Sequence, residues 1–80
     1  MSDILARVPL SAIRVFEAAA RLKSFTRAAD KLDISIAMAS KHVSHLENSI
    51  HAKLLHRNSR NLHLTEAGDD LVEFVHALRV

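Results

Sequence analysis

The residues of this 80-residue chain that could do chemistry are six histidines, a scatter of serines and acids, and no cysteine. His42 and His45 stand three apart, a spacing that puts two imidazoles on one helix face and within reach of one metal ion. The remainder of a metal centre is missing from the sequence. There is no thiolate, no HExxH spacing and no carboxylate four residues beyond either histidine. Ser, His and Asp all occur, yet none falls in a nucleophile elbow or another spacing with a mechanism. A small helical core also leaves little room for a substrate pocket. Enzyme chemistry is therefore not expected, and neither is a metal. What remains is contact chemistry, in which hydroxyls, imidazoles and cations meet a polyanion.

Charge favours that reading. The formal net charge is +2, but it is segregated along the chain. Residues 34–65 carry Lys41, Lys53, Arg57 and Arg60 against Glu47 alone, together with His42, His45, His51, His56 and His63. Residues 66–80 are acidic, with Glu66, Asp69, Asp70 and Glu73 against Arg79. A basic middle of this kind suits a nucleic-acid surface. An unperturbed imidazole gains its proton near pH 6.5, so affinity for a polyanion is expected to rise from about pH 8 to about pH 6.

These residues must be carried by helices. One Gly, one Pro and three aromatics do not suit a strand-rich, turn-rich fold. No apolar run reaches five residues, so neither a membrane span nor a secretory signal core is expected. With zero Cys this fits a cytoplasmic protein. Residues 1–9 lack periodicity and read as a flexible arm. A first helix is expected from Leu10, with Leu10, Ile13, Phe16 and Ala20 in one stripe. Val15, Ala19 and Leu22 lie on other faces, as in a central, sandwiched helix. Ser24 or Thr26 can cap a second helix reaching Leu32. Asp33 and Ile34 then allow only a tight turn, and Asp tolerates the left-handed conformation. Ser35 caps a third helix running to about Ser49.

In that third helix Ala39, Val43, Leu46 and Ile50 share the inner stripe. Ala37, Lys41, Ser44 and Asn48 face outward, flanked by Ser40 and His45, with no carboxylate before Glu47. Solvated helix faces usually alternate Glu and Lys; this one does not. Two helices, a short turn and a carboxylate-free outer face describe a helix-turn-helix. Leu54 to Arg57 and Leu62 to Leu64, around Asn58-Ser59-Arg60-Asn61, suggest a two-stranded wing. Thr65 caps a last helix, where Ala67, Leu71, Phe74 and Leu78 form a seam widened by Val72 and Val75. That seam fits either packing on the first helix or self-association. The fold expected is mainly α, a winged helix-turn-helix with a three-helix core.

The string Ser24-Phe25-Thr26-Arg27-Ala28-Ala29, followed by Leu32, Ser35, Ser40-Lys41, Leu46-Glu47, Leu54, Arg57 and Leu64-Thr65-Glu66-Ala67-Gly68, resembles the N-terminal DNA-binding domain of LysR-type transcriptional regulators. The likeness runs without gaps over about residues 10 to 80. It implies a DNA-binding domain at 10–65 and, at 66–80, the start of a linker helix through which two subunits dimerise. It also implies that the chain is the first part of a longer regulator, whose further domain binds a small-molecule effector; no cofactor is expected in this segment. Double-stranded DNA in the cytoplasm, at the nucleoid, is the implied partner.

The resemblance assigns roles as well. Ile36, Ala37, Ser40 and Lys41 correspond to base-reading positions in the major groove. Thr26, Arg27, Ser35, His42, His45, Arg57 and Arg60 correspond to backbone contacts, the last two from the wing. Leu71, Phe74, Val75 and Leu78 correspond to the dimer seam. Three departures stand out. Ile36 and Ala37 replace the usual Gln and Pro or Ser, which removes a hydrogen-bonding reader. Lys41 replaces Arg, exchanging a bidentate fork for a point charge. His51 replaces the common Gly after the third helix. Ile36 either closes the core or touches a thymine methyl. A winged-helix module that binds another protein is the competing reading.

Overall fold

The computed structural model describes residues 10–57 and 62–78. The expected N-terminal arm and Arg60 lie outside the described residues. The elements in order are α1 (Leu10–Leu22), α2 (Phe25–Leu32), α3 (Ile36–Ile50), β1 (Leu55–Arg57), β2 (Leu62–Leu64) and α4 (Glu66–Leu78).

α1 is the central helix, packed on α2, α3, α4 and β2. It buries Ala12, Val15, Phe16, Ala18 and Ala19, more than one side of the helix, as expected for a central, sandwiched element. Leu10 is exposed and Ile13 and Ala20 are half-buried. A helix wrapped by several neighbours buries residues around much of its circumference. Phe16, Val43, Leu46, Leu54 and Leu71 are the largest fully buried side chains. Each contributes about 1.5–3 kcal/mol relative to exposure. Ala28, Ala29 and Ala39 join the alanines of α1 between them, which lets the helix backbones approach closely.

Each of the first three helices ends on a left-handed residue that is not glycine: Lys23 (φ 54°), Asp33 (φ 58°) and His51 (φ 56°). The next amide then reaches back into the last turn. Ser24 N–H donates to the Ala19 carbonyl at 3.2 Å, Ile34 to Ala29 at 3.0 Å and Ala52 to Glu47 at 3.1 Å. This is the Schellman closure, in which glycine is the usual left-handed residue. Starts are capped by hydroxyls. Ser24 Oγ accepts the Arg27 amide at 3.1 Å and Ser35 Oγ accepts the Met38 amide at 3.0 Å. The cap of α2 is thus Ser24, and Thr26 sits exposed in its first turn.

β1 and β2 pair antiparallel, with Leu55 opposite Leu64, His56 opposite His63 and Arg57 opposite Leu62. The ribbon is tied to α3 by Glu47, the one buried charged residue among those described. Its carboxylate accepts the amides of Leu54 at 2.8 Å and Leu55 at 3.3 Å. Thr65 joins the ribbon to α4. Its amide donates to the Leu54 carbonyl at 3.0 Å, and its hydroxyl donates to the Lys53 carbonyl and accepts the Gly68 amide at 2.9 Å.

α4 is clasped to α1 through Glu17, whose carboxylate lies 3.2 Å from both Arg21 Nε and His76 Nε2. Burial works to raise the Glu17 pKa, but the hydrogen bonds from His76 and Arg21 outweigh it and hold the carboxyl below the ordinary glutamate value. Leu71, assigned to the dimer seam from the sequence, is 1% exposed and belongs to the core of its own domain. Periodicity gives its direction around the helix, and α1 covers that direction first. Val75 is half-buried against the core, whereas Phe74 and Leu78 remain exposed, Leu78 at 64%.

Candidate nucleic-acid interface

Three residues, Asp33, Ile34 and Ser35, turn the chain from α2 into α3. With both ends of that turn fixed by hydrogen bonds, α3 is presented as a rigid rod. Its outer side carries Ile36, Ala37, Lys41 and His45 in exposed positions, with His42 and Ser40 half-buried beside them. Ile36 is 51% exposed, so it does not close the core. Met38, not singled out from the sequence, is exposed at the same end of the helix.

The wing folds back so that Arg57 reaches α3. Its Nη1 donates to Ser40 Oγ at 3.1 Å, and its guanidinium carbon lies 4.7 Å from the centre of the Phe25 ring. One cation on β1 therefore touches both α2 and α3. Beside it a shallow cleft is lined by Ser44, Lys53, Leu55, His56 and Arg57. Lys53 lies 3.9 Å from the Glu47 carboxylate yet is 82% exposed, so its charge still faces solvent. The structure thus brings Ser40 and Arg57 together and places Lys41, His42 and His45 along the same helix. Thr26 and Arg27 lie apart from these in chain position, in the first turn of α2, both exposed.

Sequence reasoning placed Ser44 on the outer face of the third helix and Lys53 and His56 in the basic middle of the chain, but gave none of them, nor Phe25, an individual role beside Arg57. The alternation of buried Leu55 with exposed His56 was the available signal for one of them. The arrangement offers hydroxyls, imidazoles and cations on a convex helix flanked by a basic cleft.

Two helices across a three-residue turn, a third helix behind them, a two-stranded ribbon and a trailing helix define a winged helix-turn-helix. The chain belongs to the LysR family of bacterial regulatory helix-turn-helix proteins, whose family model matches residues 10–69. It is 46% identical over 65 residues to the HTH-type transcriptional activator AmpR of Citrobacter freundii, an overlap of 81% of this chain and 22% of that protein. It is 50% identical over 60 residues to the glycine cleavage system transcriptional activator of Escherichia coli K12, covering 75% of this chain and 20% of the relative. The chain spans about a fifth of the length of these curated relatives. Among solved structures, a BenM DBD complex with catB site 1 DNA superposes with TM-score 0.83 at 34% identity, covering 88% of this chain and 78% of that one. The oxidized form of Corynebacterium glutamicum OxyR superposes with TM-score 0.85 at 34% identity, covering 89% of this chain and 22% of that one.

Proposed function

We propose that this chain binds double-stranded DNA sequence-specifically, as the reading domain of a transcriptional regulator that acts as a dimer in the cytoplasm, at the nucleoid. The observation that carries the reading is the outer side of α3, free of carboxylates and bordered by Lys53, His56 and Arg57. A phosphate backbone on either side of a helix in the major groove is the counterpart such a surface fits. The likeness in fold to a BenM DBD crystallised in complex with DNA supports DNA as the partner.

Residues 10–65 form the reading unit and 66–80 begin the linker. Ile36, Ala37, Ser40 and Lys41 meet base edges, with exposed Ile36 suited to a thymine methyl. Thr26, Arg27, Ser35, His42, His45, Arg57 and Arg60 meet phosphates. Phe74, Val75 and Leu78 form the dimer seam, without Leu71. The regulator acts by occupying DNA. A small-molecule effector belongs to a further domain of the longer protein.

Selection from a random duplex pool, with the winner's affinity followed against salt, tests the reading. The expected result is a dyad whose half-sites lie one helical turn or a multiple apart, bound more tightly than random DNA. Salt-sensitive binding without enrichment would leave only backbone attraction. No binding at low salt would transfer the surface to a protein partner.

A further inference from the structure

We propose that Arg57 is a positioning residue that fixes the hydrogen-bonding polarity of Ser40, making it a donor that selects base edges bearing acceptors. This rests on the reading of α3 as the groove-entering helix.

A serine hydroxyl has one O–H and two lone pairs, so alone it serves donor and acceptor bases alike. In this domain one lone pair of Ser40 is taken by Arg57 Nη1 at 3.1 Å. A guanidinium has only donors and keeps its charge, so the roles in this pair cannot reverse. Arg57 is also held from two sides, by its place in β1 and by the Phe25 ring under its guanidinium carbon at 4.7 Å. The cation repels the hydroxyl hydrogen and directs it away, toward the open side of α3. Ser49 shows the alternative: its hydroxyl is committed to the His45 carbonyl at 2.9 Å. Ser40 makes no such bond to its own helix among the described residues, so its hydrogen is available.

The bond is exposed in the isolated domain and adds little there. Inside a groove, where water is displaced, a charge-assisted donor bond strengthens and polarises the hydroxyl further. The acceptors within reach of such a hydroxyl are guanine N7 and O6, adenine N7 and thymine O4. Cytosine, which presents its N4 amino group, is the base it rejects.

The test uses the 80-residue chain with Ser40→Ala, Arg57→Lys and the double variant, each measured on selected duplexes varied one base pair at a time. Lysine keeps the charge near the phosphates but not the stacked, planar fork. Ser40→Ala is expected to relax preference at one position. Arg57→Lys should lose about fivefold of the discrimination against cytosine at that same position, the worth of one hydrogen bond, while the salt slope is kept. The double variant should be no more relaxed than Ser40→Ala. Unchanged preference in Arg57→Lys, or uniform weakening on every duplex, would overturn the inference and leave the groove reading standing. If Ser40→Ala changes preference nowhere, the reading of Ser40 falls and the inference with it.

Discussion

The amide of Leu54 donates to the buried carboxylate of Glu47 across 2.8 Å, so the wing hangs from the inner side of the helix whose outer side is proposed to enter the groove. Removing that carboxylate strands two buried amides, those of Leu54 and Leu55. An unpaired buried donor costs about 1–3 kcal/mol. Glu47→Ala should therefore lower the unfolding free energy by about 2–4 kcal/mol in urea titration, counting partial hydration of one amide. Glu47→Gln keeps an acceptor oxygen and should lose less. Equal losses in the two variants would show that the acceptor is not what matters.

A Cβ added at Gly68 would stand 2.0 Å from the Leu54 carbonyl oxygen, a backbone atom that cannot swing aside. Helix propensity favours Gly68→Ala by about 1 kcal/mol, whereas forced overpacking costs about 1–3 kcal/mol or more. The clash decides the sign. In a domain of this size the melting temperature should fall by roughly 5–15 °C, and an unchanged melt would contradict the close approach.

His51 holds φ 56° without glycine's freedom. The left-handed conformation costs a Cβ-bearing residue about 1–2 kcal/mol, and glycine's greater unfolded-state entropy returns about 0.4–1 kcal/mol of that. His51→Gly should accordingly stabilise the domain by up to about 1 kcal/mol. A β-branched Val there should destabilise it. Chemical denaturation of the pair reads both signs.

Glu17 has a lowered pKa in the folded domain, so its ionised form is favoured by folding. That contribution is complete above the ordinary glutamate pKa, about 4.3, and drains away as the pH falls through the lower folded value. Glu17→Gln should flatten the acid limb of the stability curve in that window and loosen α4 from α1. Superimposable acid limbs for the two proteins would refute the clasp.

Lys53 separates binding from folding. It is too exposed, and its 3.9 Å pairing with Glu47 too loose, to carry much stability. Under the proposed function it faces phosphate. Lys53→Ala should weaken binding to all duplexes about equally and reduce the salt slope by about one, with an unaltered melt. Loss confined to one base position would count against a backbone role.

Local chemistry made the frame legible in the sequence. Ser35, Thr65 and the left-handed tolerance of Asp33 mark their own boundaries, because caps act within four residues. His51 was visible as a departure from glycine; the backbone keeps the glycine geometry regardless, since the Ala52 amide still finds the Glu47 carbonyl. The Arg57–Ser40 bond was not legible. It joins residues 17 apart and exists only because the ribbon folds back onto α3. The same holds for Glu47, which the sequence marked as the first acid of the third helix and as part of the family resemblance, but not as the anchor of the ribbon. Leu71 and Leu10 were misplaced for one reason: a helical period says which way a side chain points, not which neighbour arrives to cover it.

The buried alanines at Ala28, Ala29 and Ala39 have a consequence for how such a domain can diversify. An alanine has no rotamer to readjust, so where it lines a helix contact the spacing is set by main chain against main chain. Substitutions on the outer side of α3 then leave the angle of that helix undisturbed. The scaffold behaves like a fixed type-holder, in which the exposed letters at positions 36, 37 and 41 can be exchanged without resetting the page.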